Sequence, residues 1–503
     1  MTTYIDIGVV RIQRYLAKPR HLRTQRGGSV LVAFATNKIP AEYVENDTRP
    51  VTGTEWDPVN YYCFRLEGQG YAGWQRTQEA GDIAGVVSIE NPERVDEKDL
   101  HTIVELLASY LREKLPNAEL EAYQTCSDKG YYEVYEEMHV GPPFLVALPL
   151  ENDYPGLLPC DECGATPVVK VKNFPGGDRR RMCADCWQRE DDEGRVEELE
   201  PQRLDRMAQS DAESGEKPKP VAPTFLIEGE LQEAITAYRG RKELVRVADD
   251  FSDLADLQQA DRTNHLATVW IDGDGIGQLF KDIPVEDRGL AASTLSEAVR
   301  TALIEATKHI DEPRYQAVPV IPHVRGGDDV LVTLLATNAW RFVLKFLEEF
   351  EGATRTIGAT ASASIVFARQ NFPFAAQLDR AEELLAHTKR RRHACSKKTS
   401  FVGWVDLTRE KSVNTPEYFL PLGDIEATED ELDNLAQVSA TQREAWIRIL
   451  AEQAPGVALD RIFDDAQRSG KLPLVDQMFR RNDSADLIRE RLEMLRWWNH
   501  EEA

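Results

Sequence analysis

The feature that most restricts the fold of this chain is a pair of acidic, glycine-rich segments, each beside an apolar β-type run. Residues 268–277 read TVWIDGDGIG, an apolar strand that ends in two aspartates before a short helical pattern. Residues 324–332 read VRGGDDVLV, in which two glycines and two aspartates separate two β-type runs. Glycine tolerates the backbone conformations of tight turns, so the second segment predicts a hairpin with an acidic tip.

The hydrophobic pattern around these segments predicts a ferredoxin-like domain. The expected elements are a strand at 267–271, a helix at 290–309, the hairpin at 326–327, a helix at 339–350, a strand at 360–366 and a helix at 374–387. This β-α-β-β-α-β order is the order of a polymerase-type palm.

In that order the two acidic segments lie on neighbouring strands, so Asp272 and Asp328 should converge. Carboxylate oxygens are the ligands that Mg²⁺ and Mn²⁺ prefer, and we expect two such ions here. Two ions about 3.5 to 4 Å apart could activate a ribose hydroxyl and stabilise a pyrophosphate leaving group. Each segment alone is as well explained as a solvated turn, since Asp and Gly are common turn residues. Their combination favours a site.

The residues around the aspartates are candidates for nucleotide binding. Gly273 and Asp274 lie where a strand meets a helix N-terminus, a favoured place for phosphate. Gly326 and Gly327 would let the backbone approach a phosphate closely. Lys389, near the end of the helix that begins at residue 374, is a candidate for the triphosphate tail. Basic residues are also favoured at helix C-termini by the helix dipole alone.

Four cysteines form a second strong pattern, Cys160-x-x-Cys163 and Cys183-x-x-Cys186, with nineteen residues between the pairs. This spacing is typical of a four-thiolate zinc site. Because protein would supply all four ligands, the expected zinc is structural. Thiols that bind metal also indicate a reducing compartment.

The pattern predicts an α+β fold in five parts. Its β-type runs at 29–34 and 83–89 alternate with a helical pattern at 100–115, which indicates a first α+β domain. The expected boundaries are a first palm-like domain at 1–157, a zinc-binding, zinc-ribbon-like insert at 158–188, an acidic linker at 189–222, a second palm domain at 223–406 and a helical C-terminal domain at 407–503.

Charge and hydropathy restrict where and how such a chain works. The net charge of −26 should repel a nucleic-acid backbone, so nucleic-acid binding must be local or made through partner subunits. No apolar run reaches the length of a membrane span, and the N-terminus lacks a secretory pattern. We expect a soluble, cytoplasmic protein with no membrane contact.

With these motifs, the chain resembles the large subunit of type III CRISPR effector complexes, a double-palm polymerase or cyclase with a zinc-binding insert. The matching stretches are residues 5–8 through Gln13, Gly28-Ser29, 249–251, 272–274 and 326–329. In that family the second palm makes cyclic oligoadenylate from ATP when target RNA is bound. The resemblance implies that Asp328 and Asp329 are catalytic, that Asp272 is their companion, and that other effector subunits and guide and target RNA are partners.

The resemblance also implies that the first palm is a non-catalytic partner that forms a second nucleotide pocket, because residues 25–29 (QRGGS) offer no carboxylate. Many family members begin with an HD-type nuclease domain. Here the first palm pattern starts at residue 4 with no His-Asp dipeptide before it, so we expect no HD-dependent DNase activity.

Two alternatives stay open. A diguanylate-cyclase-like enzyme uses a similar turn but normally has glutamate where this chain has Asp328 or Asp329, and two palm-like blocks with a zinc insert fit it poorly. A catalytically silent scaffold subunit of an RNA-guided complex would keep the palm shape alone. The intact acidic residues disfavour a scaffold, because nothing structural requires like charges to be held together.

Overall fold

The computed structural model describes residues 1–19, 22–40, 55–77, 80, 85–148, 157–173, 179–190, 223–248, 250–257, 264–395, 399–408, 417–478 and 485–498. Within them the chain is α+β, with one five-stranded and one six-stranded sheet. The predicted acidic linker lies almost wholly outside these residues. No helix of the described part is long and apolar enough to cross a membrane.

The first sheet has the strand order β4-β5-β1-β6-β7 and is antiparallel throughout. Its strands are β1 (Thr2–Val9), β4 (Gln75–Arg76), β5 (Val86–Asn91), β6 (Leu120–Ser127) and β7 (Leu145–Ala147), while β2 (Ile39–Pro40) and β3 (Glu55–Trp56) form a separate pair. The helices are α1 (Ile12–Ala17), α2 (Leu22–Thr36), α3 (Pro58–Gly68), α4 (Glu97–Lys114) and α5 (Tyr131–His139). In α4, apolar side chains three and four residues apart are buried, which fixes its face toward the sheet.

The second sheet has the order β11-β12-β10-β13-β14-β15. Its strands are β10 (His265–Gly273), β11 (Val320–Gly326), β12 (Asp329–Leu335), β13 (Ala361–Arg369), β14 (Phe401–Asp406) and β15 (Tyr418–Pro421). The helices of this half are α7 (Pro223–Tyr238), α8 (Phe251–Asp256), α9 (Ile276–Asp282), α10 (Val285–His309), α11 (Ala339–Ala353) and α12 (Phe374–Ala394). The four strands from β10 to β13 have the ferredoxin-like order, so the predicted palm topology is confirmed.

The two sheets share this topology. In the first sheet, β4, β5, β1 and β6 take the places that β11, β12, β10 and β13 take in the second. The prediction of two ferredoxin-like palms is therefore confirmed, and we call them the first and the second palm.

Two predictions about the first palm are wrong. The run at 29–34, predicted as a strand, lies inside helix α2. Most of the described α2 side chains are buried, and a short apolar run such as 29–34 cannot be told from a strand by its pattern alone. Residues 25–29 are helical too, so they are not the counterpart of the acidic turn. The counterpart is the connection 77–85, of which 78, 79 and 81–84 lie outside the described residues.

The insert is a small β-ribbon, β8 (Lys170–Asn173) paired with β9 (Arg179–Met182), followed by helix α6 at residues 184–190. The C-terminal part is helical, as predicted, with α13 (Leu422–Glu426), α14 (Glu429–Ala436), α15 (Ala440–Glu452), α16 (Pro455–Arg468), α17 (Leu472–Met478) and α18 (Ala485–Met494). The chain does not turn helical directly after Asp406, however, because β15 first adds an antiparallel edge strand to the sheet.

The C-terminal helices share one hydrophobic core with the second palm. The Trp340 and Trp404 rings meet edge to face with centroids 5.0 Å apart, and Trp498 lies 6.1 Å from Trp340. The opposite face of the sheet is covered by α12, in a smaller core that also contains Ala17 of α1. The first palm therefore contacts the second on the α12 face.

Candidate active site and cysteine cluster

Strands β10 and β12 bring two of the predicted aspartates together. The strands are antiparallel, and their last recorded pair is Ile271 with Val330. One residue further in the same register, Asp272 at the end of β10 lies beside Asp329 at the start of β12. The strand pairing thus places the carboxylates of Asp272 and Asp329 side by side at the ends of β10 and β12.

Asp328 lies in the hairpin turn, directly above Gly273. Gly327 has φ +59°, a left-handed conformation that favours glycine and closes the turn. A Cβ atom on Gly273 would lie 2.5 Å from Asp328 Oδ2, closer than any real contact, so only glycine fits there. The turn glycine and Gly273 therefore both serve to bring Asp328 down onto the end of β10. Gly326 pairs with Asp329 at the base of the hairpin.

The electrostatics of the three aspartates show that their carboxylates interact. Burial, together with the charge of Asp272, raises the pKa of Asp328 to about 6. The same two causes raise the pKa of Asp329 to about 8. Desolvation and like charges both disfavour the ionised form of a carboxyl group. The site therefore favours the arrival of positive charge.

Lys389 supplies positive charge at this place. Helix α12 extends to Ala394, so Lys389 lies within the helix, one turn before its end. Its ammonium group contacts the Asp272 carboxylate and donates a hydrogen bond to the Gly273 carbonyl oxygen at 2.8 Å. The sequence placed Lys389 near a triphosphate, and the structure brings it to the acidic cluster itself.

Asp274 has a different environment from the other aspartates. Its buried carboxylate accepts hydrogen bonds from the hydroxyl groups of Thr360 at 2.9 Å and Ser362 at 2.7 Å. The Arg392 guanidinium lies 3.4 Å from the same carboxylate. With these partners Asp274 joins the end of β10 to β13 and α12, which is a structural role. Its assignment to nucleotide binding stays a prediction.

A cavity of about 280 Å³ opens beside the acidic cluster, and its walls include residues that sequence reasoning missed. The second palm contributes Trp270, Asp272, Asp329, Glu382, Leu385, Ala386 and Lys389, and the first palm contributes Arg11 and Arg14. The one available signal was charge: no acidic residue occurs between Asp6 and Glu42, a stretch with seven Lys and Arg residues in a chain of net charge −26.

The four predicted zinc ligands come together in the insert. The Sγ atoms of Cys160, Cys163, Cys183 and Cys186 all lie within 4.8 Å of one another. Hydrogen bonds from the neighbouring thiols, that of Cys160 first, lower the pKa of Cys163 well below its usual range. Four clustered thiols, of which Cys160 and Cys163 have lowered pKa values, fit the donor set of a structural metal site. The cluster could therefore hold zinc.

The segment that contains this site is similar to a known protein family. Residues 265–397 match the model described as Cas10/Cmr2, second palm domain. This segment runs from β10 past the end of α12, and so contains the three aspartates, the glycine turn and Lys389. No curated protein sequence matches the chain.

Solved structures match over nearly the whole chain. The crystal structure of Csm1 in T. onnurineus aligns with a TM-score of 0.53 and 11% identity over 99% of this chain and 69% of that one. A Csm1-Csm4 cassette in complex with pppApA gives 0.51 and 10%, over 99% and 69%. The cassette in complex with cA3 gives 0.50 and 10%, over 99% and 70%. Residues 265–397 are therefore similar to the second palm domain of Cas10/Cmr2, and the chain as a whole shares the fold of Csm1.

Proposed function

We propose that this chain is a nucleotidyltransferase that makes cyclic oligoadenylate, a second messenger, from ATP in CRISPR-type antiviral defence. In each step the 3′-oxygen of one ribose forms a bond to the α-phosphorus of another nucleotide. The bond from that phosphorus to the β-phosphate oxygen breaks, pyrophosphate leaves, and the hydroxyl proton is released. The observation that carries the proposal is the convergence of Asp272, Asp328 and Asp329 beside a cavity that also presents cationic side chains.

The acidic cluster supports an enzyme more than a scaffold. Bringing like charges together is unfavourable, as the raised pKa values of Asp328 and Asp329 express. A subunit that only kept the palm shape would gain nothing from this repulsion. In a site that binds cations, the bound positive charge relieves this repulsion, so the cluster favours cation binding in each catalytic cycle.

Divalent ions fit the donor set, and we propose two Mg²⁺ or Mn²⁺ ions as cofactors. Asp272 and Asp328 would hold them, with Asp329 beside both. When bound, such ions make the 3′-hydroxyl a better nucleophile and offset the charge on the departing pyrophosphate. Since Lys389 contacts Asp272, cation binding would release its ammonium group toward the triphosphate.

The cavity walls support specific roles for side chains of both palms. Arg11 is exposed at the cavity and has no recorded ion pair with another described residue, which leaves its guanidinium available for a phosphate. Arg14 already lies 3.1 Å from Glu382 Oε2 of α12. We therefore assign Arg11 to phosphate binding and Arg14 to holding α1 against α12.

The adenine base and the partners are proposed from the similar structures. Two of these are described as Csm1-Csm4 cassettes in complex with pppApA and with cA3, which are adenine nucleotides. We propose ATP as the substrate, other type III effector subunits as partners, and guide and target RNA as ligands held mainly by those partners. The net charge of −26 disfavours RNA binding by this chain alone.

A turnover assay tests the proposal. The purified chain, alone and with Csm4-type partners plus guide and target RNA, is incubated with each α-labelled NTP and Mg²⁺ or Mn²⁺, and the products are resolved. We expect oligoadenylate from the wild type and none from the double variant Asp328→Ala with Asp329→Ala. The matched control changes two exposed aspartates of α16, Asp460→Ala with Asp464→Ala, and should keep full activity.

The other outcomes of this assay point to the alternatives. Product from GTP alone would indicate a diguanylate-cyclase-like enzyme. No product with any nucleotide or partner would indicate a scaffold. Product from the Asp328/Asp329 double variant would refute the site assignment.

We also propose that the cysteine cluster binds a structural zinc ion. Cys160→Ser should release the metal and lower the free energy of unfolding by several kcal/mol, on the order of 3, because zinc binding contributes to folding. Cys395→Ser, outside the cluster, is the control. Metal content is measured by a colorimetric chelator after thiol modification, and stability by thermal unfolding. Equal metal content in wild type and Cys160→Ser would contradict the proposal.

A further inference from the structure

Helix α1 is the element that carries the first palm's arginines to the cavity. It has only six residues, Ile12–Ala17, too few for a helix to be stable by itself. Arg11, directly before it, has φ 51° and ψ 51°, a left-handed conformation that is unfavourable for arginine. Both features require that surrounding structure hold α1 in place.

Helix α6 of the cysteine insert holds the other side of α1 through Arg189. The Arg189 guanidinium donates hydrogen bonds to the carbonyl oxygens of Tyr15 at 3.1 Å and Leu16 at 3.4 Å. It also lies over the Tyr15 ring, 4.2 Å from its centroid. The Tyr15 hydroxyl donates to Asp185 Oδ1 at 2.6 Å, and Arg189 Nε is 2.9 Å from Asp185 Oδ2.

This contact is buried and specific. The Arg189 side chain is 0% exposed and that of Asp185 is 3% exposed, so their charges compensate each other away from water. Arginine presents several donors in one plane, which lysine cannot reproduce. Losing the guanidinium would leave Asp185 buried without its cation and two carbonyl groups of α1 without a donor.

Gly28 of α2 makes room for this side chain. A Cβ atom on Gly28 would lie 2.6 Å from Arg189 Nη1 and 3.0 Å from its Cζ. Gly28 lies in a helix and does not have a positive φ, so its requirement is close approach alone. This contact gives a physical reason for the glycine at position 28.

The same helix connects Arg189 to the cysteine cluster. Cys183 immediately precedes α6 and Cys186 lies within it, one residue after Asp185 and three before Arg189. Whatever fixes the four thiols therefore fixes the start of α6, and with it the position of the guanidinium.

We propose that Arg189 is a positioning residue that couples the cysteine cluster to nucleotide binding by fixing α1, and thereby Arg11, at the cavity wall. The path runs from Cys186 through Arg189 to the α1 backbone and on to the cavity. The inference rests on the proposed function, because it takes the cavity as the nucleotide site. It assigns the insert an effect on the active site beyond its own stability.

The first experiment separates nucleotide binding from cation binding. Full-length wild type, Arg189→Met and Arg181→Met are titrated with AMPPNP in the presence of Mg²⁺, and separately with Mn²⁺ followed by electron paramagnetic resonance. We expect Arg189→Met to weaken AMPPNP binding about tenfold, a typical coupling between sites. Its Mn²⁺ affinity should not change, since all three aspartates belong to the second palm. Arg181, on the same insert, pairs with half-buried Asp161 of the insert itself, so Arg181→Met should change neither affinity.

The second experiment tests whether the cluster and Arg189 act on one path. Cys186→Ser should weaken AMPPNP binding as Arg189→Met does. The AMPPNP affinity of the double variant should be no lower than that of the single variant with the lower affinity. Gly28→Ala, which keeps every charge and suits a helix, should weaken binding in the same direction by displacing the guanidinium. Hydrogen exchange of residues 11–17 should be faster in Arg189→Met and Gly28→Ala than in the wild type.

The outcomes distinguish the two proposals. The coupling would be overturned if Arg189→Met bound AMPPNP as tightly as the wild type. It would also be overturned if the effects of Cys186→Ser and Arg189→Met multiplied in the double variant. Either result would leave the proposed function standing. A wild type that binds no AMPPNP would overturn the nucleotide site. In that case unchanged hydrogen exchange of α1 in both variants would overturn the coupling as well.

Discussion

The two palms have the same strand order and differ at the point where chemistry is proposed. In the second palm the register of β10 and β12 continues one residue past Ile271 and Val330, to Asp272 and Asp329. In the first palm the register of β1 and β5 continues past Gly8 and Val86, to Val9 and Gly85. One fold thus has two carboxylates at this position in one copy and an apolar pair in the other.

The surroundings of these two strand ends differ as well, because the corner is filled in the first palm and open in the second. Gly85 has φ +84°, and a Cβ atom there would lie 2.7 Å from Ile12 Cδ1. Its amide donates to the Thr36 hydroxyl at 3.0 Å, and its carbonyl accepts from the Val9 amide at 2.9 Å. The first palm fills this corner with backbone and α1, whereas the second leaves a cavity there. Palm topology therefore provides a location, and the residues at two strand ends decide what the location can do.

The largest expected effect comes from closing the second palm's corner. Gly273→Ala places a methyl group 2.5 Å from both Asp328 Oδ2 and Ile276 Cγ1, so the acidic turn must move. We expect product formation to fall by roughly a hundredfold, since displacement of about 1 Å at a catalytic group costs that much. Gly277→Ala, where a Cβ atom meets nothing within 4 Å, is the matched control. Initial rates with ATP measure both, and wild-type activity of Gly273→Ala would show that Asp328 need not lie where it does.

A smaller effect is expected at the corresponding corner of the first palm. Gly85→Ala forces a positive φ on alanine and a contact with Ile12, so the free energy of unfolding should fall by about 1 to 3 kcal/mol. Mn²⁺ affinity should stay at the wild-type value, because the first palm has no carboxylate in the corresponding register positions. Chemical denaturation measures the first quantity and Mn²⁺ titration the second. Loss of Mn²⁺ binding without loss of stability would show that the palms are not independent in metal binding.

The sequence predicts site residues that a local strand pattern identifies, and it misses residues that reach the site only through packing of distant segments. Asp272 and Asp328 were predicted because Asp272 ends an apolar strand pattern and Asp328 lies in the turn between two such patterns, and the strand order of a palm makes these strands neighbours. Arg11 was missed because it lies some 260 residues away in the chain and reaches the cavity only through packing between domains. For Asp274 the local motif was misleading. Its place in the motif suggests a ligand for metal or phosphate, but its carboxylate already accepts hydrogen bonds from Thr360 and Ser362. Nothing in the sequence marks these two residues as its partners.

The first palm shows why its own active-site counterpart was misplaced. Gly27 and Gly28 form a pattern typical of a turn, yet they lie in α2. There the absence of a side chain on Gly28 allows Arg189 to pack against the helix. Glycine serves close approach as well as turns, and one sequence does not tell which. Those α2 side chains whose burial the structure describes are mostly buried, so the apolar run at 29–34 carries no periodic pattern that identifies a helix.

The smallest effect is a pH dependence of stability at the acidic corner of the second palm. Raised pKa values, about 6 for Asp328 and about 8 for Asp329, mean that the folded state binds more protons than the unfolded state between about pH 4 and pH 8. The free energy of unfolding should therefore fall as pH rises through this window when no divalent ion is present. Asp329→Asn removes the titrating group, so in EDTA it should exceed the wild type in stability by on the order of 1 kcal/mol at pH 8, and by less at pH 6.

Mg²⁺ should reverse the order by stabilising only the wild type, and more so at pH 8, because it displaces a proton there. Thermal unfolding in EDTA and in Mg²⁺ at both pH values measures this. A variant that is less stable than the wild type in EDTA at pH 8 would mean that the carboxylates are not in mutual repulsion, and the argument that this corner of the second palm is built to receive cations would fail.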